Sequence, residues 1–286
     1  MLSTMQHAFL RSVLLVIIAA QAVPAWASNP TGLHAGFHLL YETKFEEARS
    51  QFLVWERANP QDPLGHAWEG ASYLFEILYQ QGVLTSGFFL DNKRFLNGAE
   101  EEPNRAFGTA FLTATKTAQE LARKRLEANP GDADALFALT ITTGMLADYA
   151  SLVEKRQLQS LSFIRESESY AQRLLAVKPD SGDAYLALGA ANYIIGSLPG
   201  YKRLFLRLGG IRGDRQLGMT QLEIAATQGD YLKPFAKILL ALAALRERQI
   251  GLARTQLEQL AFEFPHNPLF AHELALLAGS AGSPAR

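Results

Sequence analysis

The feature that most constrains this chain is a series of short turns rich in Pro, Gly, Asn and Asp, each set between stretches of apolar periodicity. These turns are Asn59–Asp62, Asn129–Asp132, Lys178–Asp180, Gln228–Asp230 and Pro265–Pro268. Pro disfavours the helical conformation of the residue before it, and a following Asp or Asn can cap the next helix. We therefore predict a succession of helices joined by tight turns.

Between these turns, apolar residues recur every three and four positions. Around Pro60 the recurring residues are Phe45, Ala48, Phe52, Trp55, Trp68, Ala71, Phe75 and Leu78. This spacing places apolar side chains on one face of an α-helix, whereas the alternation of period two that is typical of strands is nearly absent. The pattern predicts about a dozen helices and no sheet.

Several of these positions resemble the tetratricopeptide repeat family, whose unit of about 34 residues pairs two antiparallel helices. Small residues at the crossing let two helix backbones approach, and a ring fills the adjacent space. The matching positions are Gly36, Ala48, Phe52, Pro60, Gly70, Tyr73, Ala118, Pro130, Pro179, Leu188 and Gly189. The resemblance implies an all-α fold, a right-handed superhelix of about six antiparallel helix pairs.

The central segment carries a second resemblance. Its residues are Ser197-Leu198-Pro199, then Arg203–Gly209, then Gly213–Gly218. They are similar to the tetratricopeptide repeat protein 39 family, which implies a helical repeat protein without enzymatic activity. Two irregular insertions, residues 82–108 and 196–213, interrupt the helix pairing, and insertions in a solenoid are common places for function.

The N-terminus has the features of a signal peptide. Arg11 precedes the apolar run Val13–Ala20, and Ala25-Trp26-Ala27 supplies small residues at the two positions that a signal peptidase reads. We expect cleavage after Ala27, a single helical-repeat domain over residues 28–280 and a disordered tail over 281–286. An exported chain without Cys fits a bacterial periplasm best, because it cannot use disulfides.

Charge and motifs exclude several classes of function. The 27 basic and 28 acidic side chains nearly balance, so no global field favours a nucleic-acid partner. The sequence has no Gly-x-Ser-x-Gly elbow, no Walker A motif and no Cys nucleophile. His34 and His38 share a helix face but lack a third nearby ligand. We therefore expect neither an enzyme nor a cofactor or metal.

The first helix of each pair is expected to line a concave groove, by the family resemblance. The groove candidates are Leu74, Phe75, Asp183, Tyr193 and Ile194. Because most of these side chains are apolar, the predicted groove suits a hydrophobic side chain or an acyl chain better than a highly charged peptide.

The two insertions supply a second set of candidates, a surface formed by Phe88, Phe89, Lys202, Arg203, Arg207 and Arg212. Phe88 and Phe89 form an adhesive patch if exposed, or cover the edge of the solenoid if buried. Tyr201 to Leu208 has an apolar stripe opposite basic residues. This short helix either touches a membrane surface or an acidic partner, or packs its stripe onto the solenoid.

Three functions follow from these expectations. The first is a periplasmic scaffold that binds a protein or peptide partner, within an envelope or transport complex, with at most peripheral membrane contact. The alternative is a helical carrier that binds a small apolar ligand or a lipid in an enclosed cavity. The third is a hydrolase that uses His38 or His272, which no motif supports.

Overall fold

The structure, a computed structural model, describes residues 32–198, 200–208 and 212–281. The predicted signal peptide and residues 282–286 of the predicted tail lie outside these described residues. Within them the chain forms α-helices and one π-helical turn, and no strand. The prediction of an all-α fold is confirmed.

The helices follow one another with short connections. In chain order they are α1 (Leu33–Tyr41), α2 (Phe45–Ala58), α3 (Pro63–Gln80), α4 (Ser86–Leu90), α5 (Asn92–Asn97), α6 (Arg105–Ala128), α7 (Ala133–Asp148), α8 (Gln157–Val177), α9 (Ala184–Ser197), α10 (Gly200–Leu208), α11 (Arg215–Gln228), α12 (Lys233–Arg246), α13 (Ile250–Glu263) and α14 (Pro268–Ala281). The π-helical turn, Tyr149–Val153, directly follows α7.

Each helix of the array packs on the next, and the helices of the two insertions are skipped. The pairs are α1/α2, α3/α6, α7/α8, α9/α11 and α12/α13, and α14 packs on α13. In α1/α2 and α12/α13 the connection is only three residues long, which makes the two helices of each of these pairs antiparallel. The described chain therefore contains five pairs and the first helix of a sixth, which confirms a helical repeat of about six pairs with two irregular insertions.

The turns work largely as their residues predict. Asp62 accepts a hydrogen bond from the Leu64 backbone N–H at 3.0 Å and caps α3, while Pro63 takes its first position. Asp132 caps α7 by accepting from the Ala135 N–H at 3.0 Å. These bonds satisfy backbone donors that a helix leaves free at its N-terminus, and they fix where each helix begins.

Small residues lie where two helices cross. A Cβ atom added to Gly36 in α1 would lie 2.3 Å from Cε1 of Phe52 in α2, so only Gly fits against this fully buried ring. Ala48 and Ala118 are likewise fully buried at their crossings. Close packing of this kind produces one continuous apolar core along the array.

The longest apolar stretch belongs to this core. Ala133–Val153, which is α7 with the π-helical turn, has the length and hydropathy to cross a membrane, but 72% of its apolar window is buried inside the protein. Core helices of globular proteins commonly show this composition, because they are buried on most sides.

The first helix of the array also contacts its last part. The Asn267 side-chain amide donates to the Tyr41 carbonyl at 2.7 Å, and the rings of Tyr41 and Phe264 lie 5.2 Å apart. Tyr231, in the turn before α12, lies against His34 and Phe37 at 4.6 and 4.8 Å between ring centroids. The array therefore curves back on itself, and its inner side becomes a central cavity.

Candidate functional site

The central cavity has a volume of about 790 Å³. It is lined mainly by the first helix of each pair, α1, α3, α7, α9 and α12, together with α14 and parts of α8 and the two insertions. This volume falls in the range of pockets that hold a small molecule, roughly 300–1,000 Å³. One helix of each pair therefore contributes a face to the wall of the same cavity.

The wall of the cavity is largely apolar. Of the predicted groove residues, Leu74, Phe75, Asp183 and Ile194 line it. Tyr193 instead lines a smaller pocket of about 240 Å³ that shares Ile194 with the central cavity. The Tyr193 hydroxyl contacts the Ala243 carbonyl at 3.2 Å and the Glu247 carboxylate at 3.1 Å, so it connects α9 to α12.

The first insertion covers part of the cavity. Phe88 is only 2% exposed, and Phe89 lines the cavity. The Arg246 guanidinium donates to the Phe89 carbonyl, and the Ser86 N–H donates to Glu273 at 3.0 Å. Of the two interpretations of Phe88, the exposed patch does not hold and the buried edge of the solenoid agrees with its position, because burial of its ring against the array stabilises the fold more than exposure would.

The second insertion behaves differently. In α10, Tyr201 also lines the cavity yet is 72% exposed, and Leu204 is 62% exposed. Arg207 and Arg212 are exposed, as is Arg203, which donates to the Gly196 carbonyl at 3.2 Å. The Lys202 side chain lies outside the described part of the chain. Tyr201 and Leu204 are therefore mostly exposed, whereas the side chains of Phe205 and Leu208, which complete the apolar stripe, lie outside the described part of the chain.

Three acidic residues line the central cavity, and none of its described lining residues is Lys, Arg or His. Asp183 accepts hydrogen bonds from the backbone N–H groups of Asp230, Tyr231 and Leu232 at 2.8, 3.2 and 3.1 Å. Glu273 accepts from Ser86, as described above. The carboxylates of Asp183 and Glu273 therefore connect, by hydrogen bonds, segments that are distant in the sequence.

Asp148, the third acid, has no hydrogen bond or ion pair with any described residue. Burial raises the pKa of its carboxyl group to about 7. Sequence reasoning missed this residue, although one signal was present, namely a lone acid near the end of the apolar run of α7. Trp68 lines the cavity as well, and its indole N–H is buried without a hydrogen-bond partner among the described residues.

One group of side chains outside the cavity has the geometry to hold a metal ion. Ligand atoms of Glu56 in α2 and of His66 and Glu69 in α3 lie within 4.8 Å of one another. His66 Nδ1 lies 3.2 Å from Glu56 and 3.8 Å from Glu69, and the nearby carboxylates of Glu69 and Glu56 raise the pKa of the imidazole. The proximity of one imidazole to two carboxylates explains the group as an ion-pair cluster between α2 and α3, in which burial and the neighbouring Glu69 raise the pKa of the Glu56 carboxyl group to about 7.

The histidines singled out in the sequence do not join this group. His34 stacks on Tyr231, and His38 Nε2 lies 3.8 Å from Glu42. The cluster was missed because its members come from two helices and no short sequence spacing reveals their contact.

Comparisons with known proteins assign no function to the chain. No family model matches the chain, and no curated protein matches it. Among solved structures, the crystal structure of TTC0263, a thermophilic TPR protein in Thermus thermophilus, is similar, with a TM-score of 0.47 and 15% identity over 86% of this chain and 96% of that chain. The described helix pairs form a tetratricopeptide-like repeat. The resemblance of the central segment to the tetratricopeptide repeat protein 39 family is not confirmed.

Proposed function

We propose that this protein is a non-enzymatic binding protein that holds a small apolar molecule or a lipid chain in its central cavity. The observation that carries the proposal is the cavity itself, a space of about 790 Å³ with a largely apolar wall. Transfer of apolar surface from water into such a space is favourable by about 25 cal/mol per Å². The proposal includes no catalytic step.

The size of the cavity favours a small ligand over a protein partner inside the array. A space of this volume admits a drug-sized molecule or a few side chains, and a folded domain does not fit. The contact between α1 and the α13–α14 region also removes the open concave groove that an extended peptide would need. The carrier is therefore preferred to the groove-binding scaffold.

A protein partner on the outer surface is the second candidate. Tyr201 and Leu204 expose apolar side chains beside the exposed Arg203 and Arg207. A helix with this arrangement suits a partner that offers an apolar patch with acidic neighbours. Helical repeat folds of this type commonly act as interaction scaffolds.

We propose further that the protein acts in the periplasm after removal of residues 1–27. The support is the charged, apolar and small-residue pattern of the N-terminus. Expression in a bacterium, fractionation of the cell envelope and N-terminal sequencing test this location. A mature chain that begins at Ser28 in the periplasmic fraction is expected, and an intact N-terminus in the cytoplasm contradicts it.

The cavity is tested with N-phenyl-1-naphthylamine, an uncharged fluorescent probe. The mature chain should bind one probe, and Ala187→Phe, which fills the cavity wall in α9, should weaken binding at least tenfold. Ala58→Phe, at an exposed position at the end of α2, is the matched control and should bind as the unmodified chain does. Equal binding by both folded variants, checked by circular dichroism, overturns the proposal.

A further inference from the structure

The charged groups of the central cavity all have the same sign. Asp148, Asp183 and Glu273 line it, and no basic side chain stands among its described lining residues. An anionic head group, such as a carboxylate or a phosphate, would meet only like charges in this low-dielectric space. The cavity is therefore suited to ligands whose polar end is a cation.

Asp148 differs from the other two acids because its carboxyl group is not used by the fold. Asp183 and Glu273 accept backbone hydrogen bonds that connect distant segments. Asp148 has no such partner among the described residues, and no charged neighbour contributes to its raised pKa. A buried carboxylate without a partner is costly to the folded state, so a protein gains from a ligand that pairs with it.

The backbone around Asp148 is also unusual. The α7 helix ends at Asp148, and the chain continues as the π-helical turn Tyr149–Val153 before α8 begins at Gln157. Single π-helical turns within helices occur frequently at functional sites. Ser151, in the turn, and Gln157 line the cavity together with Asp148, so this segment contributes three polar residues to the wall.

From these observations we infer that Asp148 is the polar end of the binding site and that the ligand is a cationic amphiphile, a long-chain amine whose ammonium group pairs with the Asp148 carboxylate. The inference rests on the proposed function, since it assumes that the cavity is occupied. The apolar tail lies along the Leu74, Phe75 and Ile194 walls of the cavity. The ammonium group offsets the burial cost that Asp148 carries in the unliganded chain.

The test compares three ligands with the same tail, dodecylamine, 1-dodecanol and laurate, below their critical micelle concentrations. Binding is measured at pH 8 by displacement of N-phenyl-1-naphthylamine from the full mature chain. At this pH the amine is protonated, because alkylammonium groups have a pKa of about 10. Dodecylamine is expected to bind at least tenfold more tightly than 1-dodecanol, and laurate least tightly.

The variant Asp148→Asn keeps the shape of the side chain and removes its charge. Its preference for dodecylamine over 1-dodecanol should fall below threefold. Asp180→Asn, an exposed acid in the turn before α9, is the matched control and should keep the tenfold preference. Thermal unfolding monitored by circular dichroism verifies that both variants are folded.

The outcomes separate the two proposals. If all three ligands bind equally, or if Asp148→Asn keeps the preference for the amine, the inference is overturned while the cavity function stands. Tightest binding of laurate overturns it as well. If none of the three ligands and no probe binds the unmodified chain, the cavity function itself is wrong.

Discussion

At the scale of single residues, the same acid group can serve structure or remain free for a ligand. The Asp183 carboxylate accepts three backbone N–H groups of residues 230–232, which stabilises the turn before α12. Asp148 accepts none among the described residues, and burial alone raises its pKa to about 7. A polar side chain without a hydrogen-bond partner lowers the stability of the folded state, and functional sites commonly carry such a cost. Asp148 is therefore a candidate for function.

This difference predicts a pH dependence of stability. The pKa of Asp148 is about 7 in the folded protein and about 4 in the unfolded chain, so ionisation of Asp148 lowers the free energy of unfolding as the pH rises between these values. The contribution of Asp148 to stability is therefore full below pH 4 and is lost as the pH rises through 7. Asp148→Asn stays neutral and should be more stable than the unmodified chain at pH 8 by roughly 2–4 kcal/mol. At pH 4 the two should be equally stable. Urea unfolding between pH 4 and 8 measures the difference.

Asp180→Asn serves as the control for that titration. Its carboxyl group is exposed, so its effect on the free energy of unfolding should stay small at every pH. A difference between Asp148→Asn and the unmodified chain that does not change with pH would show that Asp148 ionises freely in the folded state.

At the scale of elements, glycines decide how closely α9 and α11 pack. A Cβ atom at Gly189 would lie 2.9 Å from the Leu222 backbone nitrogen, and one at Gly218 would lie 2.5 Å from the Tyr193 backbone nitrogen. Backbone atoms cannot turn away as a side chain can, so the two helices are held at a distance that only glycine permits. Gly189 was predicted from the family pattern, whereas Gly218 was not singled out.

We predict that Gly218→Ala destabilises the protein by about 1–3 kcal/mol, because the new methyl group forces α9 and α11 apart. Gly251→Ala in α13 is the matched control, since no atom lies within 4 Å of its added Cβ. That control should gain up to about 1 kcal/mol from the higher helix propensity of Ala. Chemical denaturation measures both, and equal stability of the two variants would contradict the packing at this crossing.

At the scale of the whole molecule, the aromatic side chain of Tyr231 connects the start of the array to its later pairs. Its ring lies 4.8 Å from Phe37 of α1, 5.9 Å from Trp68 of α3 and 6.2 Å from Phe137 of α7. Aromatic pairs at such distances add to the stability that burial provides. Tyr231 is thus a point where four separate segments of the chain meet.

Tyr231→Ala is predicted to lower the free energy of unfolding by roughly 2–5 kcal/mol, as expected when a large packed side chain is removed. Because the contact with α1 is lost, amides of residues 33–41 should exchange with solvent faster than those of α7. Hydrogen exchange followed by mass spectrometry measures this. Tyr201→Ala, at a position 72% exposed in α10, should leave both properties unchanged. A uniform increase in exchange along the chain would argue against a local opening at α1.

The amino-acid sequence by itself determined the helices, most of their limits and the residues at their crossings. These properties are local, since the apolar period, the caps at Asp62 and Asp132 and the glycine at Gly36 act within one helix or between neighbours. The sequence also indicated that Leu74, Phe75 and Ile194 belong to the inner helix faces, and these residues line the cavity.

Only the tertiary structure decided that the array closes, that Phe88 is buried and that Asp148 faces a cavity without a partner among the described residues. Closure depends on a small rotation at every pair, and these rotations accumulate over the array in a way that no single repeat encodes. The contact of Tyr41 with Asn267 joins segments 226 residues apart, and the contact of Glu56 with His66 joins two helices. Contacts between separate elements arise from tertiary packing, so no local pattern can reveal them.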